Sequence, residues 1–184
     1  RFYLIKGASG VGKTTFIKGL LGLNECFKSK WISEDGVKIT PEEVAGFSSQ
    51  NLILGRGSFL ELITLNGVYN YEEEIFLKVY KICSLDIISK TLGIDKESFL
   101  QFDYNPRKRS LSGGQIQRLN IARSLYCNRG IVFLDESFSG LDAASTRDIL
   151  NNIRLEFPNL TLVCISHEDL DKISNISFHN ITIK

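Results

Sequence analysis

The amino-acid sequence predicts an α/β fold in which a mostly parallel sheet is covered by helices on both faces. Apolar segments occupy residues 2–5, 131–134 and 160–165, and such segments are typical of strands buried on both faces of a parallel sheet. Between them lie segments whose apolar residues recur at helical spacing, as in residues 115–126. Alternating strands and helices are the pattern of a parallel sheet with helical layers.

The first apolar run leads into a glycine-rich loop that we expect to bind phosphate. Glycine permits backbone conformations and close approaches that a Cβ atom would block, while the loop amides and the start of the helix at residues 15–21 attract anions. Lys13 would place its charge on the β- and γ-phosphates, and the Thr14 hydroxyl would bind Mg²⁺. The alternative is an ordinary glycine turn, which the flanking strand and helix disfavour. The candidate phosphate-binding residues are Gly7, Ala8, Ser9, Gly10, Val11, Gly12, Lys13, Thr14 and Thr15.

The segment after this helix is predicted to form small elements. The polar turn at residues 33–36 indicates a hairpin. Residues 41–43 begin with Pro and follow Thr40, which favours a short capped helix. A strand is then expected over residues 44–49, ending at Gln50.

The middle of the chain favours helices. Apolar residues at helical spacing predict one helix over residues 71–83, and a second is expected over residues 85–92. We therefore predict an inserted helical subdomain at about residues 51–124, within a core formed by residues 1–50 and 125–184.

The last part of the chain returns to alternating elements. A helix is expected over residues 143–157, between two of the buried strands. Residues 176–183 are predicted as a strand pair that turns near His179 and Asn180.

The composition narrows the class of protein. Of the 184 residues, 43% are hydrophobic, as expected for a globular domain with a real core, and the net charge of +1 gives no support to a nucleic-acid surface. The four cysteines are widely spaced and form no CxxC pair, so buried, reduced thiols of a cytosolic protein are expected. No apolar run approaches the roughly 20 residues that span a bilayer. The absence of Met suggests a fragment of a longer polypeptide.

Two acidic residues follow the buried strand at residues 131–134. Asp135 lies where a strand-end carboxylate can hold Mg²⁺, and Glu136 lies where it can polarise a water for attack on the γ-phosphorus. A solvated acidic loop is the alternative, which the phosphate-binding loop upstream disfavours.

A second glycine-rich segment, Leu111–Gln115, precedes the helix at residues 115–126. Ser112 can cap this helix, and Gly113 and Gly114 expose backbone amides at its positive end, beside Gln115. Because one nucleotide already has its phosphates wrapped by the first loop, this second anion site suggests a nucleotide held by another subunit. A glycine-rich helix start without a ligand is the alternative.

In their order and spacing these motifs resemble those of the ATP-binding-cassette (ABC) ATPase family, over nearly the whole chain. The matching segments are Gly7–Thr14 (Walker A), Gln50 (Q-loop), Leu111–Gln115 (signature), Ile131–Glu136 (Walker B), Ser139–Asp142 (D-loop) and His167 (switch histidine).

The resemblance implies roles for these residues. Gln50 would contact Mg²⁺ or the attacking water, His167 would sense the γ-phosphate, Ser112 and Gly114 would bind it from the opposite subunit, and Asp142 would couple the two sites. From the residues alone, Gln50 and His167 are more simply solvated strand-end side chains. The catalytic candidates are Lys13, Gln50, Glu136 and His167; the Mg²⁺ candidates are Thr14, Gln50 and Asp135; and the candidates for binding ATP in trans are Ser112, Gly113, Gly114, Gln115 and Asp142.

The run from Gln50 to Ile63 resembles exporter-type cassettes, in which the cassette follows a membrane domain in one polypeptide. Ser110 and the basic residues 107–109 before it occupy the place of the exporter coupling loop, but residues 107–109 are most simply a solvated basic turn. Family members normally have an antiparallel β-subdomain upstream of the first strand, with an aromatic residue that stacks on adenine. The sequence starts at Arg1, so we expect most of that subdomain to be missing.

The expected function is an ATPase that powers a membrane transporter, with an exporter favoured. Two cassettes, identical or homologous, would close head to tail on two ATP–Mg²⁺, at the cytoplasmic side of a membrane and beside a transmembrane domain fused upstream. One alternative is a soluble ABC ATPase acting on nucleic acid, against which the charge and the lack of a heptad insertion or zinc-ligand pairs count. Another is a nucleotide-gated module without turnover, against which Glu136 and His167 count.

Overall fold

The computed structural model describes residues 1–24, 29–49, 54–65, 70–127 and 130–184. The strands are β1 (Phe2–Lys6), β2 (Trp31–Ile32), β3 (Lys38–Ile39), β4 (Ala45–Ser48), β5 (Gly57–Ser58), β6 (Asp103–Tyr104), β7 (Ile131–Asp135), β8 (Thr161–Ile165) and β9 (His179–Thr182). The helices are α1 (Lys13–Leu20), α2 (Pro41–Val44), α3 (Phe59–Thr64), α4 (Glu73–Ile82), α5 (Asp86–Leu92), α6 (Lys96–Phe99), α7 (Gly113–Tyr126), α8 (Ala143–Glu156) and α9 (Leu170–Ser174).

Five strands form the central sheet in the order β4, β7, β8, β1, β9, and every neighbouring pair runs parallel. The inner strands are largely buried because their residues are apolar on both faces. The predicted α/β fold with a mostly parallel sheet is therefore confirmed. Parallel strands end at the same edge of a sheet, so the segments that follow β1, β4, β7 and β8 meet at one carboxyl edge.

Helices cover the two faces of this sheet through separate apolar clusters. On one face, Ile17 and Leu21 at α1 pack with Phe133 and Ile165. The other face carries the larger cluster, which takes in α7, α8 and the helices of the middle region. The prediction of buried thiols holds for Cys83, Cys127 and Cys164, which form no disulfide with one another.

The small elements after α1 follow the sequence prediction. Strands β2 and β3 pair antiparallel around the polar turn. Helix α2 begins at Pro41, and the Glu43 carboxylate accepts a hydrogen bond of 2.6 Å from the Thr40 backbone N–H. This contact is half of a capping box, which fixes the chain just before β4.

The middle region is helical, but more finely divided than the sequence predicted. Helix α4 begins at Glu73, and α5 ends at Leu92, followed by Gly93, whose φ of +68° is left-handed. Helix α3 is absent from the sequence prediction, although Ser58 and Glu61 form a capping box at its start, with the Ser58 N–H donating to the Glu61 carboxylate at 2.8 Å. Helix α6 and the β5–β6 pair were not predicted either.

Helix α7 connects this helical region to the sheet. It packs on α3 and α4, and also on β4 and β7. The contact with β4 is close, because a Cβ atom on Gly46 would clash with the Ser124 carbonyl. The division into a core and a subdomain at about residues 51–124 stays a prediction.

The predicted strand pair at residues 176–183 is wrong. Helix α9 ends at Ser174 and is capped by Asn175, which has a left-handed φ of 57°, and a single strand β9 then runs parallel to β1. His179 and Asn180 do not turn, because they pair in register with Tyr3 and Leu4 of β1. Phe178 anchors the strand: its backbone N–H donates to Asp171 Oδ1 at 2.8 Å.

Candidate functional site

The carboxyl edge of the sheet holds a cleft of about 240 Å³. It lies between the loop after β1 and the ends of β7 and β8. The lining residues are Ser9, Gly10, Gly12, Lys13, Thr14, Thr15, Glu136, Ile165 and His167.

The loop after β1 has the backbone that its glycines predict. Gly10 and Gly12 adopt left-handed φ values of 78° and 100°, which cost a residue with a Cβ more than glycine. A Cβ atom on Gly7 would lie only 2.7 Å from the Ile183 carbonyl oxygen. The buried ammonium of Lys13 donates to the carbonyls of Gly7 and Ala8 at 2.9 and 3.0 Å. The loop therefore curls around its own lysine at the start of α1.

Asp135, the last residue of β7, is fully buried and neither carboxylate oxygen has a hydrogen-bond partner among the described residues. Burial raises the pKa of this carboxyl, while the Thr14 hydroxyl and the ammonium groups of Lys18 and Lys13 lower it in part. The Thr14 hydroxyl is thus near Asp135 without making a hydrogen bond of ordinary geometry. A hydroxyl and a buried, unpaired carboxylate are oxygen ligands suited to Mg²⁺.

Glu136 follows in a strained conformation, with a left-handed φ of 53° that is uncommon for a residue with a side chain. Its backbone N–H donates to the Ile165 carbonyl at 3.0 Å, and its Oε1 lies 3.3 Å from Nε2 of His167. Burial raises the pKa of Glu136, and its attraction to His167 opposes that rise. The side chain is 10% exposed, and Glu136 lines the cleft.

The segment Ser112–Gln115 lies at the start of α7 and does not line the cleft. The Ser112 Oγ accepts from the Gln115 N–H at 3.3 Å, and the Gln115 Oε1 accepts from the Ser112 N–H at 2.9 Å. The Gln115 Nε2 donates to Thr91 Oγ1 at 2.6 Å, so its amide is engaged within the chain. Gly113 is exposed and Gly114 half-buried, which leaves this helix start open to a ligand.

Asp142 caps α8 at the end of the adjacent loop, Ser139–Asp142. Its Oδ1 accepts from the Ser145 N–H at 2.7 Å, and this bond lowers the pKa of the Asp142 carboxyl. The exposed Asp142 does not line the cleft.

Of the predicted site residues, the structure brings Lys13, Thr14, Glu136 and His167 together around the cleft, with Asp135 beneath it. It does not bring Ser112–Gln115 or Asp142 to that cleft. Gln50 lies outside the described residues.

The sequence analysis missed two polar contacts beside the site. The Ser137 hydroxyl donates to Ser48 Oγ at 2.9 Å, which joins the ends of β7 and β4. Gln117 of α7 contacts the loop Ser139–Asp142 through both ends of its amide. Both contacts join residues that are distant in the sequence, 89 positions apart for Ser137 and Ser48 and 23 for Gln117 and Gly140, so local patterns did not indicate them.

A phosphate-type loop between a parallel strand and a helix, with acidic residues at the end of a nearby parallel strand, defines a P-loop nucleotide-binding protein. The family described as ABC transporter matches residues 1–139, and the chain belongs to this family. The solved structure of a bacterial Atm1-family ABC exporter with ATP bound shares the fold. Its TM-score is 0.76 at 23% identity, over 100% of this chain and 32% of that one.

Relatives of known name include ATP-binding proteins of transport and export systems. The chain is 35% identical over 167 residues to the lacticin-481/lactococcin-DR transport/processing ATP-binding protein lcnDR3 of Lactococcus lactis subsp. lactis, covering 89% of this chain and 23% of the relative. It is 28% identical over 173 residues to the microcin-J25 export ATP-binding/permease protein McjD of Escherichia coli, covering 91% and 29%. A protein named for import also matches, at 32% identity. The chain spans about a quarter of the length of the first two relatives.

Within the described ranges, no helix is both long enough and apolar enough to cross a membrane. The same ranges contain no cluster of three or more His, Cys, Asp or Glu side chains placed to hold a metal ion.

Proposed function

We propose that this chain is the ATP-binding and ATP-hydrolysing cassette of a membrane transporter, of the export type. The observation that carries the proposal is the convergence of Lys13, Glu136 and His167 on one cleft above the buried Asp135. These are the groups that phosphoryl transfer to water requires: a charge for the phosphates, a carboxylate for a metal and a base for water.

The residues at the carboxyl edge fit Mg²⁺. Thr14 and Asp135 would hold it, because the Asp135 oxygens are buried, unpaired and close to the Thr14 hydroxyl. When bound, Mg²⁺ would neutralise charge that develops on the phosphate oxygens. Gln50 remains a proposed additional ligand. Lys13, whose ammonium rests on the Gly7 and Ala8 carbonyls, would turn to the β- and γ-phosphates of ATP.

Glu136 would act as the general base, with His167 beside it. A buried carboxylate with a raised pKa is a stronger base than an exposed one, which favours proton abstraction from water. His167 is 62% exposed and lies 3.3 Å from Glu136, so it could meet both this carboxylate and a γ-phosphate.

A second cassette, identical or homologous, would complete each nucleotide site. Ser112, Gly113 and Gly114 leave the amino end of α7 accessible, where the helix dipole and free amides attract phosphate. Because this segment does not line the chain's own cleft, it supports binding in trans and a head-to-tail dimer. Asp142 would then lie at the dimer interface.

The names of lcnDR3 and McjD support a transporter, and the name of McjD supports export. A transmembrane domain, fused upstream, would be the partner that uses the energy of hydrolysis, and the cassette would lie at the cytoplasmic side of the membrane. In this proposal residues 1–50 and 125–184 form the core and residues 51–124 the helical subdomain.

The test is ATP hydrolysis by the full-length protein and its Glu136→Gln variant. We expect Mg²⁺-dependent hydrolysis, which the substitution lowers at least ~10²-fold because the amide cannot accept a proton. ATP binding should persist, and ATP-bound dimers should accumulate. Glu97→Gln, at an exposed glutamate of α6, is the matched control and should hydrolyse normally.

Near-normal turnover in Glu136→Gln would remove Glu136 from this role. ATP binding without any turnover in the unaltered protein would instead favour a nucleotide-gated module.

A further inference from the structure

Gln117 links α7 to the loop Ser139–Asp142 through both ends of its side-chain amide. Its Oε1 accepts from the Gly140 N–H at 2.7 Å, and its Nε2 donates to Ser139 Oγ at 3.0 Å. The Ser139 hydroxyl in turn donates to the backbone carbonyl of Glu136 at 2.9 Å. A continuous series of hydrogen bonds therefore runs from the backbone of Glu136 to the helix that begins with Ser112.

The fit between these two segments is close. A Cβ atom on Gly140 would lie 2.6 Å from Gln117 Oε1, and one on Gly114 would lie 2.9 Å from the Gly140 carbonyl oxygen. A side chain at Gly114 would meet backbone, so the two segments would have to separate, whereas a side chain at Gly140 would displace the amide of Gln117. The loop is thus held against the first turns of α7 by backbone packing and by one amide.

The series ends at a residue whose backbone is strained. Glu136 has a left-handed φ of 53°, a conformation that persists only when its surroundings hold it. The Ser139 hydroxyl bond to the Glu136 carbonyl, together with the Glu136 N–H bond to Ile165, supplies part of that support. A shift of the loop would therefore change the direction of the Glu136 side chain.

We propose that Gln117 is a positioning residue that ties Glu136, which acts on the nucleotide in this chain's cleft, to Ser112–Gln115, which serves the other nucleotide. The inference rests on the proposed function and adds a route by which the two sites act together. Docking of a phosphate at the start of α7 would stabilise the loop through Gln117, and the loop would hold Glu136 in its active orientation.

The experiment is a double-mutant cycle on MgATP hydrolysis by the full-length protein. Gln117→Leu removes both hydrogen bonds at similar size, and Ser139→Ala removes the next link. Each should lower kcat about tenfold, the factor that corresponds to 1.4 kcal/mol, with KM for ATP nearly unchanged because the P-loop is intact. The double variant should be no worse than the worse single variant, since both break the same series.

Gln101→Leu, at an exposed glutamine in the turn before β6, is the matched control and should keep the normal kcat. Equal kcat in Gln117→Leu and Gln101→Leu, or fully multiplicative losses in the cycle, would overturn the inference and leave the proposed function standing. Absence of MgATP hydrolysis in the unaltered protein would overturn both. A thermal unfolding midpoint measured for each variant separates lost positioning from lost folding.

Discussion

At the carboxyl edge of the sheet, both oxygens of Asp135 are buried without a hydrogen-bond partner among the described residues, whereas at the start of α7 Ser112 and Gln115 satisfy each other's backbone N–H groups. The contrast extends to the flanking acids. The pKa of Glu136 is raised by burial, while the pKa of the exposed Asp142 is lowered by the hydrogen bond that its carboxylate accepts from the Ser145 N–H.

This difference separates two kinds of binding surface. A buried, unpaired carboxylate carries a desolvation cost that a cation relieves, so binding should change the energetics of the carboxyl edge strongly. The start of α7 has its side chains paired within the chain and offers backbone amides in a fixed arrangement, so it should act as a rigid template. Substitutions at the start of α7 should therefore change dimer formation, whereas substitutions at the carboxyl edge should change the pH dependence of hydrolysis and the stability of the protein.

Of the changes that distinguish the two surfaces, blocking the start of α7 at Ser112 should have the largest effect. Ser112→Arg, made in the Glu136→Gln background, places a bulky side chain where a partner's γ-phosphate would dock. ATP binding by the single chain should persist, and the ATP-dependent dimer should weaken at least about tenfold. Size-exclusion chromatography with ATP measures this, and Ser177→Arg, at an exposed serine before β9, is the control. An undiminished dimer would exclude binding in trans at Ser112.

A smaller, graded effect is expected from pH at the carboxyl edge. Burial raises the pKa of Glu136, so hydrolysis should fall as the pH drops through a range higher than that of an ordinary glutamate, by up to about tenfold per pH unit. His167→Gln should move this decline to still higher pH, because attraction to His167 lowers the pKa of Glu136. Steady-state rates at saturating MgATP measure the decline, with ATP binding recorded at each pH. If hydrolysis fell at the same pH midpoint in the unaltered protein and in His167→Gln, the expectation would be contradicted.

The comparison also shows what the sequence could predict. The phosphate-binding loop, the acids at the end of β7 and the cap at Ser112 depend on neighbours only a few residues away, so local patterns predicted them. The capping box of Ser58 and Glu61 was equally local, and α3 could have been predicted from it.

Other features depend on residues distant in the sequence. The parallel pairing of β9 with β1 joins His179 to Tyr3, and nothing in residues 176–183 distinguishes this strand from a hairpin. The contact of Gln117 with Gly140 spans 23 positions. The unpaired state of Asp135 is likewise a property of the packed sheet, because only the fold determines which donors reach a buried oxygen.

The smallest effect concerns the stability of the unliganded protein. Because burial raises the pKa of Asp135 in the folded state, the folded carboxyl holds its proton more tightly than the unfolded one. Its charge therefore lowers stability progressively as the pH rises from the unfolded pKa through the folded pKa, and the full penalty applies above the folded pKa. Asp135→Asn should raise the free energy of unfolding by ~1 kcal/mol at pH 8, and the gain should shrink in acid.

With MgATP, the unaltered protein should have the higher free energy of unfolding. A ligand that binds the folded state stabilises it, and Asp135→Asn would bind the metal only weakly. Urea unfolding at pH 8 and in acid, with and without MgATP, measures both effects. Asp95→Asn is the control of opposite sign: Asp95 caps α6, and hydrogen bonds from Ser98 lower its pKa, so its contribution is present above the unfolded pKa and is lost as the pH falls. If Asp135→Asn instead lowered the free energy of unfolding at pH 8 without MgATP, the attraction of the Asp135 carboxylate to the ammonium groups of Lys13 and Lys18 would exceed the cost of burying its charge.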